Sequence, residues 1–140
     1  MTKVVLDTDV LSNLLRAYRL REESLVVERA REYLAQHTRF TISIVTRYEV
    51  LRGFKAKGAL TQERVFERFC TNNTVLPITE QVIDHAAEIW AELRKRGDLI
   101  PDADILIAAT ALVDGCGLVT NNESHFRRIT GLTVENWLKS

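Results

Sequence analysis

Short apolar runs alternate with helix-patterned segments along the chain, and this alternation limits the fold more than any other feature. Strands are predicted at 3–6, 40–44, 74–77, 117–120 and 132–134. Helices are predicted between them, at 9–16, 22–36, 46–57, from about Thr61 to Cys70, from Thr79 to Gly97 and at 102–113. Strands that alternate with helices are typical of a mostly parallel sheet covered on both faces. The expected class is therefore α/β.

Length and composition exclude several classes of protein. The 140 residues are 46% hydrophobic, which predicts one globular domain over residues 1–140. The 19 Lys and Arg balance 19 Asp and Glu, so contact with RNA has to be local. Cys70 and Cys116 have neither metal-ligand spacing nor a disulfide pattern. No apolar run approaches about 20 residues, so we expect a cytoplasmic protein without membrane contact.

Acidic residues recur where predicted strands pass into helices, or inside the helices that follow. They are Asp7, Glu49, Asp102 and Asp104, and a further strand end carries Asn121 and Asn122. The carboxyl ends of parallel strands open onto one crevice, the usual ligand site of such a sheet. Carboxylates gathered there repel one another unless a cation neutralises them. The pattern therefore indicates a hard divalent metal ion and phosphate chemistry.

Each acid alone also has a purely structural interpretation. Asp102 or Asp104 could cap the apolar helix that follows Pro101, since Asp is common at helix starts. Asp104 is the stronger functional candidate, because one cap is enough and a buried carboxylate needs a partner. Asp7 could itself cap the first helix, since an Asp after a strand often does. If Asp9 is instead that cap, or an acid that supports the site, Asp7 is free for chemistry.

Glu49 and His125 are each open to two interpretations. Glu49 could lie on a solvated helix face, or it could point into the crevice. Gly53, one turn further on, favours the crevice, because a glycine within a helix suggests close approach by another element. His125 follows the last strand end, where it could contact a phosphate or simply be exposed.

Four segments of the chain, in order, resemble one known family: LDTDVLSNLL, SIVTRYEVLRG, LIPDADILIAATAL and LVTNNESHFRRITGLTVENW. The resemblance is to the PIN-domain ribonucleases, and among them to the VapC toxins of bacterial type II toxin–antitoxin pairs. It implies a three-layer α/β/α fold around a mostly parallel sheet. It also implies Mg²⁺ or Mn²⁺ held by clustered acids, and cleavage of RNA, often tRNA. The implied partners are a second copy of the chain and a small antitoxin protein that covers or enters the crevice.

The family's acids can be placed residue by residue. Asp7, Glu49 and Asp104 match the first three and are the expected metal ligands. Asn122 stands where many PIN domains carry a fourth Asp, and its amide can orient water but adds no negative charge. Thr8, Asp9 and Asp102 are expected to lie next to these ligands and to orient them without binding the metal directly.

The resulting interpretation is a metal-dependent endoribonuclease. The metal ion would lower the pKa of a bound water and stabilise charge on the scissile phosphate. The basic residues expected to contact the RNA backbone are Arg47, Arg52, Lys55 and Arg127.

Two other functions stay open at this point. VVLDTDVL nearly matches the opening of the haloacid-dehalogenase-type phosphatases, but the late acidic pair of that class should follow a strand, whereas PDAD opens a helix. The absent fourth acid also allows a non-catalytic PIN-like domain that only binds a partner or RNA.

Overall fold

Short parallel strands form the centre of the molecule. The computed structural model describes residues 2–140, and its strands are β1 (Val4–Leu6), β2 (Thr41–Ser43), β3 (Thr74–Leu76), β4 (Gly117–Val119) and β5 (Val134–Glu135). β1 pairs with β4, β4 with β5, and β2 with β3, all in parallel. β1 and β2 lie in contact, so the strands follow one another in the order β3, β2, β1, β4, β5. Hydrogen bonding divides this layer into a three-stranded and a two-stranded sheet.

Helices cover both faces of the strands. They are α1 (Thr8–Leu20), α2 (Leu25–His37), α3 (Ile44–Lys57), α4 (Leu60–Asn72), α5 (Glu80–Lys95), α6 (Asp102–Val113) and the single turn α7 (Glu123–Phe126). No helix within residues 2–140 is both long and apolar enough to cross a membrane.

Two apolar cores lie on opposite faces of the strands. In β1, Val4 and Leu6 belong to the core formed with α1, α2 and part of α4, while Val5 belongs to the core formed with α5 and α6. In β4, Val119 joins the first core and Leu118 the second. Successive strand residues point to opposite faces, so these strands are buried on both sides. The predicted α/β/α layering with parallel strands is confirmed.

The main differences from the predicted elements lie at helix boundaries and surfaces. α6 has the predicted bounds, but α4 begins at Leu60, one residue before the predicted start at Thr61, and ends at Asn72 rather than Cys70. The turn α7 was not predicted, because four residues are too few for a helical pattern. In α5, Ile83 and Trp90 follow the apolar spacing of the helix but are exposed, and Ile89 packs in the core instead.

Candidate active site

Asp7 lies at the junction of β1 and α1, at the carboxyl edge of the strands. It is the N-cap residue of α1, and its Oδ1 accepts a hydrogen bond from the Thr8 N–H at 2.8 Å. Its Oδ2 accepts from the Thr120 hydroxyl at 2.8 Å, because the β1–β4 pairing brings Thr120 alongside. Of the two roles open to Asp9, that of the cap is wrong. Asp7 fills that position, and only 5% of it is exposed.

The carboxyl group of Asp7 holds its proton more strongly than an ordinary aspartate. Burial raises its pKa to about 7, and the nearby carboxylates of Asp9 and Asp104 act in the same direction. The hydrogen bonds from Thr120 and Thr8 lower the pKa of Asp7, but by less than burial and the neighbouring acids raise it. Three acids from the β1–α1 junction and α6 therefore share one electrostatic environment.

Asp9 ties the start of α1 to the loop after β4. Its Oδ1 accepts from the Val10 N–H at 2.6 Å, and its Oδ2 accepts from the Asn121 N–H at 3.1 Å. Burial raises the pKa of Asp9, and Asp104 contributes to the increase. Both oxygens of Asp9 are thus engaged by backbone donors, which fits a supporting position beside Asp7.

Glu49 reaches the same region from the middle of α3. The Thr8 hydroxyl donates to its Oε1 at 2.7 Å and lies 2.9 Å from the Thr46 hydroxyl. Thr8 therefore links Asp7, through its backbone, to Glu49, through its side chain. The Arg52 guanidinium lies 3.6 Å from Glu49 Oε2. Glu49 is turned toward the start of α1 rather than outward onto a solvated face.

Gly53 does not mark a close approach by another element, contrary to what the sequence suggested. A Cβ added to Gly53 would meet nothing within 4 Å, so no element approaches closely there. The placement of Glu49 depends instead on its contact with Thr8.

Asp104 lies in the first turn of α6 and contacts a histidine. Its Oδ2 is 3.0 Å from Nδ1 of His125, and the same Nδ1 is 2.8 Å from Nδ2 of Asn122. The cap residue of α6 is Pro101, and no side chain caps the helix, so the cap interpretation of Asp102 and Asp104 is wrong. Asp102 is exposed, and none of the hydrogen bonds described for residues 2–140 joins its side chain to this network.

The two asparagines after β4 point in different directions. The Asn122 side chain contacts His125 and so lies one contact from Asp104. The Asn121 side-chain oxygen instead accepts from Asn136, away from the acids.

The expected residues therefore come together in two connected groups. Asp7, Thr8 and Glu49 form one hydrogen-bonded group, and Asp104, His125 and Asn122 form the other. Asp7, Asp9 and Asp104 connect the groups electrostatically. Sequence reasoning gave no firm role to His125 and missed Thr46 and Thr120. The signal for Thr120 is a hydroxyl at the end of a buried strand, as in GLVT.

The donor set suits a hard divalent cation. Asp7, Glu49 and Asp104 offer carboxylate oxygens, the ligands that Mg²⁺ and Mn²⁺ prefer. Burial, and then the neighbouring carboxylates of Asp9 and Asp104, raise the pKa of Asp7, and a bound cation would oppose both effects. Within residues 2–140, however, no group of three or more His, Cys, Asp or Glu side chains is arranged so that it could hold a metal ion. The residues fit the ion in chemistry and in charge, but their side chains are not arranged around a common point.

The basic residues expected to contact RNA each have an acidic neighbour. The pairs are Arg47 with Glu67 at 3.0 Å, Lys55 with Glu63 at 3.2 Å, Arg127 with Glu123 at 2.7 Å, and Arg52 with Glu49 at 3.6 Å. Because these pairs offset the positive charge, the local basic surface is weaker than the sequence suggests.

Comparison with known proteins identifies the family. The sequence matches the family described as PIN domain over residues 4–132. It is 34% identical to ribonuclease VapC1 of Methanocaldococcus jannaschii over 128 residues, which cover 91% of this chain and 82% of the relative. The chain belongs to the PIN-domain family, among the VapC ribonucleases.

Other VapC proteins are similar in sequence and structure. A tRNA(fMet)-specific endonuclease VapC of Salmonella typhimurium is 36% identical over 103 residues, covering 71% of this chain and 76% of the relative. The fold is similar to a crystal structure of DNA-bound VapBC from the same organism, with a TM-score of 0.83 and 30% identity. That likeness covers 98% of this chain and 99% of the solved chain.

Membership of the VapC ribonucleases removes the phosphatase alternative. The acids that a haloacid-dehalogenase-type phosphatase would place after a late strand, Asp102 and Asp104, instead open α6, between α5 and β4. The match to the PIN domain extends over residues 4–132 and so includes all of these acids.

Proposed function

We propose that this protein is a metal-dependent endoribonuclease, with Asp7, Glu49 and Asp104 as the ligands of Mg²⁺ or Mn²⁺. The observation that carries the proposal is the buried Asp7 carboxyl, whose pKa rises to about 7 because burial and two neighbouring acids oppose its ionisation. A divalent cation relieves that repulsion. When bound, such an ion lowers the pKa of a coordinated water and offsets charge on the scissile phosphate.

The protein's own contribution is orientation. Thr8 and Thr120 each donate one hydrogen bond to Asp7, and an ionised carboxylate has further lone pairs available for a cation. Thr8 also donates to Glu49 and so holds two of the proposed ligands in one geometry. His125 holds Asp104, and Asn122 is placed to orient water or a phosphate oxygen. Asp9 stabilises the loop that carries Asn121.

We further propose that the protein is the toxin of a toxin–antitoxin pair and that its substrate is a tRNA. The similar Salmonella proteins, named as a tRNA(fMet)-specific endonuclease and as part of a VapBC complex, support this assignment. The proposed partners are a cognate antitoxin and a second copy of the chain.

Incubation of the purified protein with total RNA tests the proposal. Cleavage at defined phosphodiester bonds should require Mg²⁺ or Mn²⁺ and stop in EDTA, and sequencing of the new RNA ends should locate the sites in tRNA. A generic phosphomonoester should not be hydrolysed. RNA binding without cleavage, combined with Mn²⁺ affinity no greater than that of an acidic surface, would instead indicate a non-catalytic PIN domain.

A further inference from the structure

The half-buried side chain of Asn136 connects the C-terminal segment to the loop after β4. It follows the last residue of β5, and its Nδ2 donates to Asn121 Oδ1 at 3.1 Å and to Glu123 Oε2 at 3.0 Å. These two residues lie on either side of Asn122, whose side chain contacts His125 in the candidate active site. One amide group therefore holds both neighbours of a residue at the site.

The orientation of the Asn136 amide is fixed by its partners. Hydrogen bonds from Asn136 and Arg127 lower the pKa of Glu123, so its carboxyl group is ionised at neutral pH and can only accept. On the other side, the Asn136 Oδ1 accepts from the Leu138 N–H at 2.9 Å. The NH₂ group therefore has to face the loop, and rotation of the amide by a half-turn would break these contacts.

Asn136 is itself held through both of its neighbours in the chain. The backbone oxygen of Glu135 accepts from the Thr120 N–H at 2.9 Å. On the other side, Trp137 is 4% exposed and packs in the core formed with α1 and α2, where the centre of its ring lies 5.7 Å from that of Tyr33. Because Trp137 already anchors the C-terminal segment, the side-chain contacts of Asn136 act on the loop rather than on the chain end.

The backbone of the loop is held by separate contacts. The Asn121 N–H donates to Asp9 Oδ2 at 3.1 Å, and the Asn122 N–H donates to the Thr120 hydroxyl at 2.9 Å. Asn136 adds contacts to the side chains on both sides of Asn122. With the backbone and both neighbours fixed, the Asn122 side chain is left pointing toward the histidine of α7.

We propose that Asn136 is a positioning residue of the nuclease site, which holds the loop 121–123 so that Asn122 and His125 stay in place beside Asp104. This inference rests on the proposed ribonuclease function and extends it to a residue outside the acidic cluster. None of the hydrogen bonds described for the Asn136 side chain within residues 2–140 reaches a proposed metal ligand, so its effect on a bound ion is indirect. The effect passes through Asn122 and His125 to Asp104.

Removal of the two donated hydrogen bonds tests this role. Asn136→Asp keeps the shape of the side chain and the bond from Leu138, but it removes both donors and places a carboxylate against Glu123. Mn²⁺ affinity in calorimetry and kcat for RNA cleavage should each fall by about 10-fold, the lower end of the range for loss of a residue that orients a metal ligand. KM should change less than kcat, because the proposed effect is on the site rather than on RNA binding. Asn136→Ala removes the contacts without adding charge, and it should show a loss in the same direction even if Asn136→Asp does not fold.

A second substitution should restore the site. In Asn136→Asp with Glu123→Gln, the glutamine NH₂ donates to the new carboxylate, and the Asn121 amide can rotate by a half-turn to donate as well. The contacts then form again in the opposite direction, so the double variant should recover most of the lost Mn²⁺ affinity and kcat. Glu123→Gln alone completes the double-mutant cycle and accounts for the loss of its ion pair with Arg127, which measures 2.7 Å.

Asn73→Asp is the matched control. Asn73 also uses both ends of its amide, since its Oδ1 accepts from the Phe40 N–H and its Nδ2 donates to the Phe69 backbone oxygen, each at 2.9 Å. It joins the end of α4 to the segment that leads into β2 rather than to the loop after β4. Asn73→Asp should therefore lower the melting temperature without changing Mn²⁺ affinity or kcat.

The imidazole of His125 gives a readout that needs neither metal nor RNA. Its ring nitrogens, observed by long-range ¹H–¹⁵N NMR in EDTA, report the contacts with Asn122 and Asp104. Their signals should shift in Asn136→Asp and return toward wild type in the double variant. They should stay unchanged in Asn73→Asp.

The outcomes separate the two proposals. If wild type neither cleaves RNA nor binds Mn²⁺, the ribonuclease function is wrong, and the His125 signals alone then decide whether Asn136 holds the loop. If wild type cleaves RNA but Asn136→Asp and Asn136→Ala keep its Mn²⁺ affinity, kcat and His125 signals, the positioning role is wrong. Failure of Glu123→Gln to restore any of the loss, or an equal loss of Mn²⁺ affinity in Asn73→Asp, would overturn the positioning role as well.

Discussion

Asp104 Oδ2 and His125 Nδ1 lie 3.0 Å apart, although 21 residues separate them in sequence. The same nitrogen lies 2.8 Å from the Asn122 amide. A ring nitrogen carries either one proton or one lone pair, so it donates to Asp104 only in the tautomer that is protonated at Nδ1. Rotation of the Asn122 amide by a half-turn places its oxygen toward the ring and satisfies both contacts.

His125 should therefore orient Asp104 for metal binding. Loss of such a supporting contact typically weakens metal affinity by about 10- to 100-fold. His125→Ala should lower Mn²⁺ affinity in calorimetry by this amount. His125→Asn places an N–H near the position of Nδ1 and should restore much of the affinity, whereas His125→Gln, which mimics the other ring nitrogen, should not. Equal affinity in all three variants would remove His125 from the site.

Asp104→Asn should abolish Mg²⁺-dependent RNA cleavage and leave the fold intact or more stable. The amide removes a negative charge that opposes ionisation of Asp7 and Asp9, so carboxylate repulsion falls. Asp102→Asn is the matched control, since it makes the same chemical change at an exposed position two residues earlier. RNA cleavage is followed on gels and stability by thermal melting. Activity in Asp104→Asn, or an equal loss in Asp102→Asn, would contradict the assignment.

Stability without metal should fall as pH rises from about 4 to about 7. Burial and the carboxylates of Asp9 and Asp104 raise the pKa of Asp7 to about 7, from an ordinary value of 3.8. Between these values the folded protein holds a proton that the unfolded chain has released, so each increase in pH favours unfolding. The stabilisation is fully present below pH 3.8 and lost above about 7.

Melting temperatures in EDTA across this range measure the effect. Mg²⁺ should restore stability at neutral pH, because it binds the ionised acids of the folded state. Asp7→Asn should flatten the pH profile, since the amide does not titrate. A wild-type melting temperature that changes with neither pH nor Mg²⁺ would count against the acidic cluster.

Gly53→Ala should stabilise the protein by roughly 0.5–1 kcal/mol. Gly53 lies within α3, and a Cβ there meets no atom within 4 Å, so alanine adds helix propensity without a clash. Gly58→Ala is the opposite control: Gly58 ends α3 with a φ of 65°, which alanine adopts with strain. Urea unfolding should show a gain for the first variant and a loss for the second. Destabilisation by Gly53→Ala would mean that this helix face packs against something.

The sequence predicted what local patterns determine. The apolar run after Asp104 predicted α6 with its observed bounds, and the acids at the strand ends predicted where the site lies. Both predictions depend only on residues that are close together in the sequence. The sequence left open which of Asp7 and Asp9 caps α1, because both are acids near the helix start and only the three-dimensional arrangement separates them.

Other features depend on contacts that no local pattern contains. Thr120 lies 113 residues from Asp7, and the parallel pairing of β1 with β4 brings them together. His125 reaches Asp104 from the single turn α7, which is too short to show helical periodicity. Trp90 followed the apolar pattern of α5, but the helix turns it outward, since the core takes only one side of the helix.

Asn122→Asp should tighten Mn²⁺ binding. The Asn122 side chain contacts His125 beside Asp104, so a carboxylate there adds one negative charge next to the proposed ligands, and hard cations prefer carboxylate to amide oxygens. Asn121→Asp is the control, because the Asn121 side chain accepts from Asn136 and faces away. Calorimetry should show a gain in affinity at position 122 and a much smaller change at 121. Cleavage rate is the weaker readout, since a tighter ion does not ensure a better-placed water. A larger gain at 121 would mean that Asn121, rather than Asn122, occupies the position of the fourth acid.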